Sequence, residues 1–189
     1  MTEAFAAAPA MVFVQAAILA IAFLAAASIV WFSLRTGIAP VPSSGRARRA
    51  MLAAVQAAPA GPVLDLGSGW GTLAIAAARR FPEREVVGYE LSWVPWAVSS
   101  LLKHAFALDN LTLRREDFLR ADVSTASVLL CYLFHQGMQR LADKLAREGA
   151  PAVLVSHTFA LPPSWQPDEI IPLNDLYRSR IYVYRRPPP

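Results

Sequence analysis

The chain has 189 residues and a formal net charge of +4. That length suits one compact domain with an appendage. The charge excess is too mild to mark a nucleic-acid binder, and a single cysteine, Cys131, excludes an intramolecular disulfide and a zinc cluster. Hydrophobic residues make up 55% of the chain, a high share for a soluble domain, and the excess is concentrated near the N-terminus.

Residues 1–11 read as a short tail. The 23 residues from Val12 to Leu34 carry no charge, and Gln15, Ser28 and Ser33 are their only polar members. As a helix this segment would span about 35 Å, enough to cross a bilayer. A secretory signal would open with basic residues and have a shorter apolar core, whereas Glu3 stands here. A buried or interfacial helix is disfavoured because no polar face recurs at helical spacing. Trp31 and Phe32 fit an interfacial anchor. Arg35, Arg46, Arg48 and Arg49 follow the segment and nothing basic precedes it. The positive-inside rule therefore predicts a single-pass protein, its N-terminus outside and the rest cytoplasmic. The arginines then meet anionic headgroups rather than nucleic acid.

Thr36 to Gly45 is a turn-rich linker, and Arg46 to Ala58 reads as a helix with Met51, Leu52 and Val55 on one face. Strands follow near 62–66, 85–89, 111–115, 127–133 and 151–157, with helices near 70–80, 93–106 and 136–147. Such alternation implies an α/β fold, a doubly wound Rossmann-like parallel sheet. Residues 170–173 and 179–184 read as two short edge strands able to pair as an antiparallel hairpin, and Pro187–Pro189 as a tail. The expected organisation is 1–35 tail and transmembrane helix, 36–60 linker and short helix, and 61–186 a single α/β domain.

The chemistry is concentrated at Val63-Leu64-Asp65-Leu66-Gly67-Ser68-Gly69-Trp70-Gly71, followed by Gly88-Tyr89-Glu90. Glycines between strand and helix permit a tight turn and close approach of a ligand to the backbone. A dinucleotide fingerprint would be G-x-G-x-x-G; here the spacing is G-x-G-x-G. Asp65 would oppose a pyrophosphate but suits a cation, which points to S-adenosylmethionine rather than NAD. Glu90 ends the second strand, where an acid accepts from ribose hydroxyls. Gly67, Ser68, Gly69, Gly71 and Leu91 complete the expected cofactor set with Asp117 and Phe118. Asp117 follows the third strand and is placed to accept from the adenine amino group, with Phe118 against the ring; the alternative is a turn or helix-capping acid.

These residues resemble class I S-adenosylmethionine-dependent methyltransferases. Within that class the chain is similar to the small membrane-anchored protein-lysine methyltransferases of the adenine nucleotide translocase and the ATP synthase c-subunit. The resemblance rests on Pro40-Val41-Pro42-Ser43-Ser44, the Asp65–Gly71 motif, Gly88-Tyr89-Glu90-Leu91 and Pro95-Trp96. It continues through Ala142-Asp143-Lys144-Leu145 and the run from Phe159 to Pro167 with Trp165. It implies a lysine on a membrane or membrane-associated protein as methyl acceptor. Two departures stand out: Trp70 replaces an acid usual in that branch, and the Phe159–Trp165 segment has one extra residue. Gly-x-Gly-Trp-Gly also looks like cyclopropane fatty acid synthases, which keeps a lipid or lipophilic acceptor as the alternative.

Lysine has a reference pKa of about 10.4 and must lose its proton before accepting a methyl group. Desolvation in an aromatic channel lowers that value, and an aromatic face holds a methylated ammonium. Tyr132, Phe134, Phe159 and Trp165 are the aromatic candidates. His135 and His157 end strands four and five, where either relays a proton or is simply structural; His104 is expected at a helix surface and Cys131 in the core. Leu130-Cys131-Tyr132-Leu133-Phe134 is not the Asn/Asp-Pro-Pro-aromatic motif of enzymes that methylate base amines, so no nucleic-acid partner is expected. No metal-ligand spacing appears.

Overall fold

The computed structural model describes residues 3–36 and 44–185. Residues 40–43 of the proline-rich stretch and the Pro187–Pro189 tail lie outside them. The apolar runs become β1 (Val63–Leu66), β2 (Val86–Tyr89), β3 (Leu111–Arg114), β4 (Val128–Cys131) and β5 (Val153–His157). The hairpin is β6 (Glu169–Pro172) and β7 (Arg180–Arg185). Together they form a seven-stranded sheet in the order β3-β2-β1-β4-β5-β7-β6. The first five strands are parallel. β7 runs antiparallel between β5 and β6, so the sheet is mixed rather than wholly parallel. β4 stops at Cys131, short of the expected residue 133, because its partner β1 ends at Leu66, opposite Cys131.

The helices are α1 (Glu3–Thr36), α2 (Gly45–Gln56), α3 (Thr72–Arg80), α4 (Trp93–Ala105) and α5 (His135–Glu148). Ser44 caps α2, its hydroxyl accepting from the Ala47 amide at 3.2 Å. Alternation along the strands divides the core into two layers. Val63, Val86, Val128 and Val153 face Met51 and Val55 of α2 and Leu73 and Ile75 of α3. Leu64, Leu66, Leu129 and Leu154 face Met138, Leu141 and Leu145 of α5. Burial on both faces is why these strands read as continuous apolar runs.

α1 begins at Glu3, so the segment expected as a tail is helical from there; its alanines have the highest helix propensity. Its Met11–Ser28 stretch has a mean hydropathy of 2.3 and is not buried by the rest of the protein. By length and composition α1 is able to cross a bilayer. It approaches α4.

Two polar side chains tie the layers together at the end of the sheet opposite the glycine turn. The Arg84 guanidinium, 8% exposed, donates to the carbonyls of Gly61 (2.9 Å), Val55 (3.0 Å) and Pro59 (2.5 Å) and to the Ser127 hydroxyl (2.7 Å). The Asn110 amide donates to the carbonyls of Ala78, Phe81 and Arg84, closing the end of α3. Only a planar five-donor fork reaches four acceptors from one stem. Arg84→Ala should therefore lower unfolding free energy by about 3 kcal/mol by stranding buried acceptors. Arg84→Lys should recover less than half of that loss, as measured by urea titration.

Candidate functional site

At the carboxyl edge of the sheet β1 runs directly into the glycine turn. Gly67, Gly69 and Gly71 take φ of +74°, +53° and +74°, a region that side chains disfavour. A Cβ at Gly71 would also lie 2.7 Å from Cβ of Ser99 on α4. The turn hangs on the end of β2: the amides of Gly67 and Ser68 both donate to the Tyr89 carbonyl, at 3.0 and 2.8 Å. Glu90 then fastens it from above. Its Oε2 accepts from the Gly69 amide at 2.8 Å and its Oε1 from the Ser92 amide at 2.7 Å. Each oxygen keeps a lone pair for a further donor. Leu91 beside it is half-buried.

Asp65 is 3% exposed. Its carboxylate accepts from the Ala74 amide in the first turn of α3, a favourable place for negative charge, while Oδ2 has no partner. Burial pushes its pKa up to about 7 against the opposing Ala74 bond, and the neighbouring Glu90 charge adds to the rise. The Ser68 hydroxyl is likewise buried without a partner, as are both ring nitrogens of His157. These are the four orphaned side-chain atoms among the described residues, and all sit at the carboxyl edge. Buried polar atoms in proteins are normally satisfied. A cation would satisfy the free oxygen of Asp65, and Glu90 keeps room for hydroxyl donors.

Asp117 is half-buried, and its Oδ1 accepts from the Leu119 amide at 3.0 Å. That is the turn role expected as the alternative, and it leaves Oδ2 for another donor. Phe118 is 8% exposed and packs in the core layer beneath. This loop is braced by Lys144, whose ammonium donates to the Leu119 carbonyl at 3.2 Å and pairs with Glu148 at 2.5 Å. Lys144 is almost fully buried.

The other half of the edge is aromatic. Tyr132, which follows β4, lies 4.3 Å from the His157 ring that ends β5, and 6.3 Å from the Phe159 ring. Phe134 and His135 also close on Phe159, at 5.0 and 4.9 Å. Burial lowers the pKa of His157, and the Asp175 charge opposes that shift. Asp175 comes from the β6–β7 turn, and nothing in the sequence spacing ties it to His157. Phe159 is the centre of the cluster. Trp165 packs at the rim of the second core layer. Cys131 is buried in the core and its thiol is pushed up to about 12 by desolvation; His104 is exposed on α4. Among the described residues no group of three or more His, Cys, Asp or Glu side chains is placed to hold a metal ion.

Residues 65–169 match the family described as the ANTKMT methyltransferase domain. A protein-lysine N-methyltransferase of Saccharolobus islandicus (strain REY15A) is 29% identical over 148 residues, 76% of this chain and 91% of that relative. Among solved structures, the RNA methyltransferase from Salinibacter ruber, in complex with S-adenosyl-L-homocysteine, has a TM-score of 0.68 and 29% identity. That likeness covers 79% of this chain and 95% of that one. A putative methyltransferase, yhhF from Escherichia coli, has the same fold at 15% identity, with a TM-score of 0.63 over 77% of this chain and 88% of the other. The family match spans more than half of the chain and includes the acid-glycine turn and the second-strand acid, and the chain belongs to the ANTKMT methyltransferase domain family of S-adenosylmethionine-dependent methyltransferases.

Proposed function

We propose that the chain methylates the side-chain amine of a lysine on a membrane or membrane-associated protein. The observation that carries this reading is the ring cluster in which Tyr132 and Phe134 close on Phe159 while Tyr132 also packs on the buried His157. The name of the Saccharolobus relative and the exposed apolar α1 support it.

In this reading Asp65, with Gly67, Ser68, Gly69 and Gly71, holds the amino-acid end of S-adenosylmethionine. Glu90 takes the ribose hydroxyls with its free lone pairs, next to Leu91. Asp117 takes the adenine amino group with Oδ2, and Phe118 supports that loop from below. The cofactor supplies a methyl group activated on a sulfonium. The chain's own part is alignment and exclusion of water. The rings of Tyr132, Phe134 and Phe159 desolvate the lysine, which favours its neutral form, and hold its methylated product through their faces. His157, whose burial disfavours the charged ring, accepts the lysine proton at a ring nitrogen. His135, exposed at the start of α5, passes it to solvent. Trp165 narrows the acceptor channel from the segment after Phe159. α1, set in a bilayer with the methyltransferase domain on the cytoplasmic side, confines the enzyme to the plane of its substrates and raises its effective concentration there.

A lipid or lipophilic acceptor is the second reading, favoured by Trp70 in the glycine turn and by α1. Membranes incubated with methyl-labelled cofactor distinguish the two. Label in a protein band, recovered as methyl-lysine and absent with Asp65→Ala, is the expected outcome; label in the organic phase would replace lysine with lipid.

Two further predictions concern the site. Binding a cation beside Asp65 requires its carboxylate. Cofactor affinity should therefore rise roughly tenfold per pH unit as pH climbs towards about 7, then level off. Asp65→Asn should bind weakly and without that slope in calorimetry. In the ligand-free chain the sign is opposite. A carboxyl whose pKa is raised by folding stabilises below the ordinary aspartate range, so stability should fall as pH rises from about 4 to 7. For the acceptor side, His157→Ala should lower kcat about 100-fold with cofactor affinity unchanged. Tyr132→Ala should raise KM for the acceptor more than it lowers kcat, as read from initial rates.

A further inference from the structure

The β6–β7 hairpin turns at the carboxyl edge of the sheet. Pro172 faces Arg180 and Ile181 faces His157, so residues 173–179 project beyond the strand ends on the side of the aromatic cluster. The tip is built to hold its shape. The Leu173 amide donates to the Ser179 carbonyl at 2.8 Å. Asp175 accepts from the Ser179 amide at 2.9 Å and from the Ser179 hydroxyl. Yet it presents Leu176 and Tyr177 at 90% and 87% exposure, the two most exposed large apolar side chains of the domain outside α1. Arg178 and Arg180 flank them and are exposed. The exposed Arg46 of α2 donates to the Asn174 carbonyl, so a third cation is fixed to the tip. Asp175, the acid of the tip, is occupied by Ser179.

Arg46 also places the tip relative to α1. Thr36 and Ser44 are eight residues apart, a reach of at most about 28 Å, and α2 begins directly after Ser44. A second pair of the same kind lies on this edge. Trp93, the first residue of α4, is 53% exposed, with the Arg115 guanidinium 3.9 Å from its ring centroid, and α1 approaches α4. Leucine beside tyrosine, ringed by arginine, is the composition of a bilayer boundary: the apolar parts enter the acyl edge and the guanidinium groups meet phosphates.

We propose that the β6–β7 tip is a membrane-docking element. Leu176 and Tyr177 enter the headgroup–acyl boundary of an anionic bilayer, with Arg46, Arg178 and Arg180 on lipid phosphates, so that the aromatic cluster opens at the bilayer surface. This rests on the reading that α1 spans the same bilayer. The test places a fluorophore on the full chain carrying Leu176→Cys, with Arg147→Cys at the far end of α5 as the control; buried Cys131 does not compete for the label. Both are reconstituted in vesicles of phosphatidylcholine and phosphatidylglycerol, with or without bromine on the acyl chains. Unchanged cofactor affinity certifies the fold of each variant. Several-fold stronger quenching by brominated lipid at position 176 than at 147 is expected. Equal quenching at the two positions overturns the proposal. So does shielding at 176 that ignores bromine and grows with protein density, since that marks contact with a second copy. Flotation of the chain with the vesicles reads the anchor separately. A chain that fails to float refutes the membrane reading of α1, whereas a floating chain with an unquenched label at 176 refutes only the docking.

Discussion

A carboxylate near the end of an interior strand of a sheet, out of reach of water, has few ways to exist. Asp65 must be neutral, or must face positive charge. The chain offers it one amide, from Ala74 at the start of α3, and leaves one oxygen without a partner. The glycine turn follows from the same constraint. To bring α3 back over Asp65 the chain has to reverse within five residues, and it does so through Gly67, Gly69 and Gly71 in left-handed conformations. Glu90 and the Tyr89 carbonyl then hold that turn against β2. The burial of Asp65, the turn geometry and the seating of α3 are thus one problem with one solution.

The carboxyl edge divides by chemistry along the strand order. Acids and the unsatisfied Ser68 hydroxyl lie over β1 and β2; rings and a buried imidazole lie over β4 and β5. Both halves favour cationic guests, by different physics. On the proposed reading, charge attracts on the acidic side, and it would hold a proton on the acceptor lysine if it reached across. The aromatic side attracts through the faces of rings while penalising a fully charged ammonium by desolvation. A reaction that needs one cation bound and the other amine deprotonated is served by keeping the two halves apart.

Much of this was readable from residues alone. The parallel strands fall inside the expected runs because burial on both faces makes them continuous in sequence, and the glycines and acids mark the turn because few other residues tolerate it. What escaped is what depends on partners distant in sequence. Nothing adjacent in sequence marks Arg84, which gathers acceptors from Val55 to Ser127. Lys144 stands out only within a family-like motif, and its burial against the Leu119 carbonyl depends on a residue 25 positions away. Asp175 meets His157 only through the hairpin. The reach of β4 was overestimated because its end is set by β1 rather than by its own residues.

The position of β7 carries a consequence for how the chain comes to be folded. β5 is apolar through Val153, Leu154 and Val155, and its second partner is not the next strand in the chain but the one after it. Until β7 pairs with it, β5 is a bare edge, with unpaired amides and carbonyls and the features of an aggregation-prone segment. The completed hairpin closes it with a strand bonded on both sides and shifts the edge to β6, which is only four residues long and carries Glu169 and Pro172. Short length, charge and proline are the usual protections of an exposed strand, so the hairpin exchanges a hazardous edge for a defended one.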